Sequence, residues 1–209
     1  MIESYELYLR LEKLDLLVNK PYMWWPSYGS FEVVIGAILT QNSQWKRVEV
    51  SLQNLEAYLS IDALCTIDEN ELQTLIKPSG LFKSKAKYIK LLAQAIKEEY
   101  DTFDKFCSEV TREWLLSQKG IGPESADSIL CYGCQRDEMV VDAYTHRLLN
   151  AFGYEFDSYD ELQEWCVKGL SAFTKVEDRA KTYALFHGMI VEYVKLYSKN
   201  KKVDIGVLK

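Results

Sequence analysis

The sequence predicts an all-α protein of about ten helices. Apolar residues recur at helical spacing along most of the chain, and almost nothing alternates with period two. Capping and breaking residues fall between the apolar runs. The first helix spans residues 5–18, with Leu7, Leu11, Leu14 and Val18 on one side. Ser30 is an N-cap for the apolar run 31–39, and Glu32 sits in its first turn. The pattern continues through Val48, Leu52 and Leu55. Asp68-Glu69-Asn70-Glu71 opens a short helix by the same logic, and Pro78-Ser79-Gly80 is a break. Residues 84–99 put Ala86, Ile89, Leu92, Ala93 and Ile96 on one face. Short helices follow over 103–109 and 111–117. Pro123 suits a first helical position, and Ala126, Ile129 and Leu130 continue that helix. Val140-Val141 reads as helix or as a short extended piece. Residues 145–152 end at Gly153, and 160–170 and 180–197 complete the set.

With 209 residues, 48% hydrophobic and 27% charged, the chain can form one large domain or two small ones with a real core. No apolar run is long enough to span a bilayer, so no membrane partner is expected. Met1 to Glu6 lacks the basic start of a signal peptide, which makes the cytoplasm the expected location. The five cysteines are scattered. Cys131-Tyr132-Gly133-Cys134 has no second ligand pair at usable spacing, so structural thiols are expected and no metal. A net charge of −6 argues against an extensive non-specific grip on a polyanion but leaves local contacts open. Lys83, Lys85, Lys87 and Lys90 form one basic cluster, and Lys195, Lys199, Lys201 and Lys202 another. Each reads first as a solvated helix face.

Three constellations carry chemistry. Lys119-Gly120-Ile121-Gly122, followed by Pro123, reads as a tight hairpin between two helices. Its glycines allow positive φ, and its amides with the next helix start form an anion site suited to a DNA phosphate. Taken alone, it is equally well an ordinary turn. Asp142, after Met139-Val140-Val141, is an N-cap for the next helix, and that position keeps a carboxylate ionised. Such a group can stabilise positive charge on a sugar or orient water. Trp24, Trp25 and Pro26, with Trp45 beyond, are core residues singly; as a set they can line a slot that stacks a base, preferably a cationic one. His146 and His187 read as packed or capping histidines.

These features together resemble the helix-hairpin-helix DNA glycosylase superfamily, the group of endonuclease III, over most of the chain. Leu39-Thr40-Gln41-Asn42 looks like the segment that enters the duplex, with Asn42, joined by Gln41, filling the gap left by an everted nucleotide. The stretch Ile76 to Ala86 looks like the family's turn before a basic helix. Lys119 to Gly122 matches the DNA-binding hairpin, and Val141-Asp142 with Arg147 matches the catalytic segment. The 3-methyladenine DNA glycosylase III type is the nearer resemblance, carried by Trp24-Trp25-Pro26, Arg112-Glu113-Trp114-Leu115-Leu116, Glu124-Ser125-Ala126-Asp127 and Phe186-His187-Gly188. It implies a base pocket of Trp24, Trp25, Pro26, Trp45 and Lys195. Met189 departs from that pattern, which has lysine there.

The resemblance implies two helical lobes with the active site in the cleft between them. One covers residues 30–134 and ends in the hairpin; the other joins 1–29 to 135–209. Glu124 stands where bifunctional members carry a Schiff-base lysine, so base removal without strand cleavage is expected. No cysteine follows Ala180, so no iron–sulfur cluster is expected, although such hairpins can hold a monovalent cation on backbone carbonyls. The expected partner is double-stranded DNA with alkylated bases, bound by a monomer. An endonuclease III-like glycosylase for oxidised or mismatched bases, and a non-catalytic DNA-binding module, are the alternatives.

Overall fold

The computed structural model describes residues 2–200 and 202–209. Met1, and Lys201 of the C-terminal basic cluster, lie outside the described residues. Twelve α-helices form among them: α1 Ser4–Glu12, α2 Phe31–Leu39, α3 Trp45–Asn54, α4 Ile61–Thr66, α5 Glu69–Leu75, α6 Phe82–Glu99, α7 Phe103–Glu109, α8 Arg112–Ser117, α9 Pro123–Ser128, α10 Ala143–Ala151, α11 Tyr159–Ser171 and α12 Arg179–Leu196. Two strands of two residues, β1 Ser198–Lys199 and β2 Lys202–Val203, pair antiparallel with Ser198 opposite Val203. The protein is all-α apart from this hairpin, and none of its described helices is long and apolar enough to cross a membrane.

The chain divides into two compact units, one of Ser27–Gln135 and one of Met1–Pro26 with Arg136–Lys209. In the first, α2 is buried along its whole length, and apolar residues of α3 to α9 pack around it. Arg112 on α8 clamps the fully buried Asp127 on α9 through Nε to Oδ1 at 2.7 Å and Nη2 to Oδ2 at 3.2 Å. This pair ties together the two helices that flank the glycine hairpin. The second unit has its own core, in which Leu7 and Leu11 of α1 meet Leu148 and Leu149 of α10, Leu162 and Leu170 of α11, and Phe186 and Ile190 of α12.

Several local expectations change. The first helix stops at Glu12 rather than residue 18, because Asp15 (φ 49°) and Asn19 (φ 65°) take the left-handed conformation that those residues tolerate. Leu14 still packs on the core, whereas Val18 is exposed. Ser30 has extended N-cap geometry but makes no side-chain cap bond. Asp68 does cap α5, accepting from the Asn70 and Glu71 amides. Helix α4 and the strand pair were not expected. The helix begun by Pro123 turns into a π-helical segment at Ile129–Gly133. Val140-Val141 is not helical, and both residues are fully buried. The basic cluster of α6 is not one solvated face. Lys85 is buried and donates to the carbonyls of Leu39 (2.8 Å) and Ser79 (2.9 Å), and Lys90 reaches Ile67 O at 2.5 Å.

Replacing Arg112 with Ala removes the guanidinium from a buried carboxylate. Urea denaturation should then show a loss of about 3 kcal/mol. A loss below about 1 kcal/mol would mean that the clamp does not hold the hairpin's flanking helices.

Candidate active site

Asp142 stands at the N-cap of α10 in extended conformation, anchored by the buried Val140 and Val141. Its Oδ1 accepts from the Tyr144 and Thr145 amides, both at 2.9 Å, and from Thr145 Oγ1 at 3.1 Å. Thr145 Oγ1 in turn accepts from the Asp142 amide, which closes a reciprocal capping box. With Oδ1 committed to the helix, Oδ2 faces His187 Nε2 at 3.5 Å. Burial pushes the carboxyl pKa up, but the His187 contact and the Thr145 bonds outweigh it, and the net shift is downward. The group is an ionised carboxylate at neutral pH.

Trp24 is braced against α12 in the same unit. Met23 and Trp24 both have positive φ, 56° and 70°, which is rare for large side chains and has to be sustained by contacts elsewhere. Trp24 Nε1 donates to Glu192 Oε1 at 3.1 Å. The same carboxylate accepts from Lys20 at 2.5 Å and Lys195 at 3.2 Å. The Lys195 ammonium lies 5.8 Å from the Trp24 ring centre and 6.0 Å from that of Tyr144. His187 meets the Trp24 ring edge-on at 5.2 Å, and Trp25, itself buried, does so at 6.1 Å. Gly188 lets the indole come this close, since a Cβ there would sit 2.5 Å from Trp24 Cγ. This unit therefore joins Asp142, Trp24, Trp25, Pro26 and Lys195. Trp45 belongs to the other unit, at the first position of α3, where it packs on that unit's core.

The hairpin lies in the unit Ser27–Gln135. Gly120 has φ +87°, and a Cβ there would collide with the Tyr88 ring. Gly122 is extended instead (φ −101°, ψ 178°) with open space beside it, so only one of the two glycines uses the left-handed region. Ile121 is buried and Lys119 exposed. The Gln41 side-chain amide donates to Gly120 O and Ser125 Oγ, both at 2.9 Å, and thereby attaches the end of α2 to the hairpin. Asn42, exposed with φ 52°, projects beside it.

Leu81 and Glu192 carry no local signal in the sequence, and His187 reads there only as a packed or capping histidine. Leu81, after the Pro78-Ser79-Gly80 break, is 61% exposed with φ 47°, an unusual state for a leucine. Glu192 meets Lys20 and Trp24 far away in sequence as well as Lys195 three positions on, and His187 meets Asp142 and Trp24.

Comparison with known proteins shows the family. The family model for HhH-GPD superfamily base excision DNA repair proteins matches residues 35–170. The chain belongs to that superfamily. A Methanocaldococcus jannaschii protein named as a candidate DNA repair glycosylase is 36% identical over 95% of this chain and 91% of its own. The H. pylori 3-methyladenine DNA glycosylase MagIII, solved with 1,N6-ethenoadenine, is 40% identical with a TM-score of 0.88, over 95% of this chain and 100% of that one. A non-covalent endonuclease III–DNA complex has the same fold at 19% identity and a TM-score of 0.76, over 100% and 94% of the two chains. Among HhH-GPD proteins this chain thus has full-length relatives.

Gly188→Ala should push Trp24 off its seat. Overpacking of this kind costs about 1–3 kcal/mol, readable as a lower thermal midpoint. An unchanged midpoint would mean that the indole is loosely held.

Proposed function

We propose that this base excision repair protein is a monofunctional DNA glycosylase that removes alkylated purines, 3-methyladenine foremost, from double-stranded DNA, and that it acts as a monomer. The observation that carries the reading is an ionised Asp142 held in the same unit as a braced, partly exposed Trp24. The relationship to MagIII supports the lesion class.

The extruded base stacks in the aromatic slot, to which Trp24, Trp25, Pro26 and Lys195 contribute. The bond from the sugar's anomeric carbon to the base nitrogen breaks, and its electron pair leaves with the base. A base made cationic by N3-methylation departs neutral and needs no strong acid. Asp142 stabilises the oxocarbenium-like sugar and takes a proton from the attacking water. Glu124 offers no amine, so the strand stays intact. The hairpin residues Lys119 to Gly122 hold a phosphate through backbone amides. Gln41 braces that hairpin, which leaves Asn42 to fill the vacated stack. The absence of cysteine from residues 180–209 supports a cluster-free enzyme. A monovalent cation on the hairpin would find Gly120 O already accepting from Gln41.

A second substrate has an observation in its favour. The Lys195 ammonium already lies near the Trp24 ring, which weakens the preference for a cationic base and favours a neutral alkylated adenine such as 1,N6-ethenoadenine.

Purified protein should release 3-methyladenine from methylated DNA and leave sites that break only on alkali treatment. Breaks without alkali would overturn the monofunctional reading. Release of ethenoadenine alone would replace the lesion, and no release of either would remove the alkylpurine reading. A folded-state pKa below the unfolded value means that Asp142 adds stability above the unfolded pKa and loses it as pH falls through the folded one. The single-turnover rate should therefore show no acid limb from Asp142 between about pH 5 and pH 8. A limb near pH 6 that is lost in Asp142→Glu would contradict the depressed value.

A further inference from the structure

His187 is 3% exposed and sits on α12 between the two parts of the proposed site. Its ring makes a T-shaped contact with the Trp24 indole, centroids 5.2 Å apart at 79°. Its Nε2 reaches Asp142 Oδ2 at 3.5 Å. Nε2 is the ring nitrogen that faces Oδ2, and a proton carried there is turned towards that oxygen. Oδ2 is the oxygen that the helix cap leaves over, since Oδ1 takes all three α10 donors. His187 thus governs the aim of the oxygen available for chemistry. Its neighbours on α12 serve the same indole: Gly188 makes room for it, and Glu192 binds its Nε1.

We propose that His187 is a positioning residue that locks the Asp142 carboxylate and the Trp24 indole in register, so that a base stacked on Trp24 brings its sugar to a carboxylate already aimed. The proposal rests on the roles given above to Asp142 and Trp24. An ordinary packing histidine would need neither contact. The joint placement matters because an error of about 1 Å between base and catalytic group can cost on the order of a hundredfold in rate.

The contact also has an electrostatic consequence. Burial raises the Asp142 pKa, and His187 is the foremost influence lowering it. Titratable and charged groups of the elements around Asp142 include His187, Glu192 and Lys195 on α12, Tyr144, His146 and Arg147 on α10, and Tyr159 on α11, whose hydroxyl accepts from the Val141 amide. Of these, among the described groups, His187 brings a ring nitrogen within 4 Å of the Asp142 carboxylate. Without it, burial is opposed mainly by the cap.

Two variants test this. His187→Leu removes the donor at similar volume, and His187→Gln keeps an N–H at the same reach. Titration of Asp142 is followed by carbon-13 NMR of labelled aspartate, with the resonance assigned by its loss in Asp142→Asn. Single-turnover release of 3-methyladenine is measured beside binding to DNA carrying a tetrahydrofuran abasic analogue. His187→Leu should move the Asp142 titration to higher pH and slow release by about tenfold or more, with analogue binding changed by less than about threefold. His187→Gln should recover part of both losses. An unmoved titration, or equal rate losses in both variants, would overturn the proposal. A wild-type protein that releases no 3-methyladenine would defeat the substrate reading, while the NMR titration still decides the role of His187.

Discussion

The N-terminus of α10 is the constraint on which the rest depends. A buried aspartate is ordinarily driven towards its neutral form. Here two backbone amides and a threonine hydroxyl hold one oxygen, and an imidazole faces the other. The bonds that start the helix are therefore also the bonds that keep the carboxylate charged. Stability and the proposed chemistry are coupled at one side chain, and the preceding Val140 and Val141, both fully buried, anchor its backbone.

A comparable economy governs the unit Ser27–Gln135. The end of α2 would leave carbonyl groups unsatisfied near the surface segment Thr40-Gln41-Asn42. Lys85 binds one of them and the Ser79 carbonyl together, and Gln41 reaches the hairpin. Burial lowers the Lys85 pKa to about 8, and its ammonium is held by carbonyl dipoles. Asn42, Leu81 and Gly120, all with positive φ, lie within a few residues of these polar ties. The segments proposed to meet DNA, Asn42 and the hairpin, are thus tied down by the Lys85 and Gln41 side chains.

The sequence made the helical class, the hairpin and the Asp142 cap legible, because each depends on neighbours within a few positions. Apolar spacing located α2, α6 and α12 to within a few residues. It overran α1, because periodicity alone does not register that Asp15 and Asn19 can turn the chain. It misjudged Lys85, since a lysine among three others looks solvated until the carbonyls of Leu39 and Ser79 are folded around it. His187 is packed, as its sequence suggests, but its polar partner was not legible. Its partners are 45 positions upstream at Asp142 and far earlier still at Trp24, and no local pattern encodes that meeting. Short-range chemistry was readable, and long-range polar pairing was not.

The most direct test of the account is Asp142→Asn under single-turnover conditions, with DNA binding measured alongside. Asparagine caps a helix nearly as well as aspartate, so the fold and the slot are retained while the charge is lost. The account predicts that base release falls by about a hundredfold or more while affinity for damaged DNA stays near that of the wild type. Release at the wild-type rate would contradict it, because the chemistry would then not pass through this carboxylate.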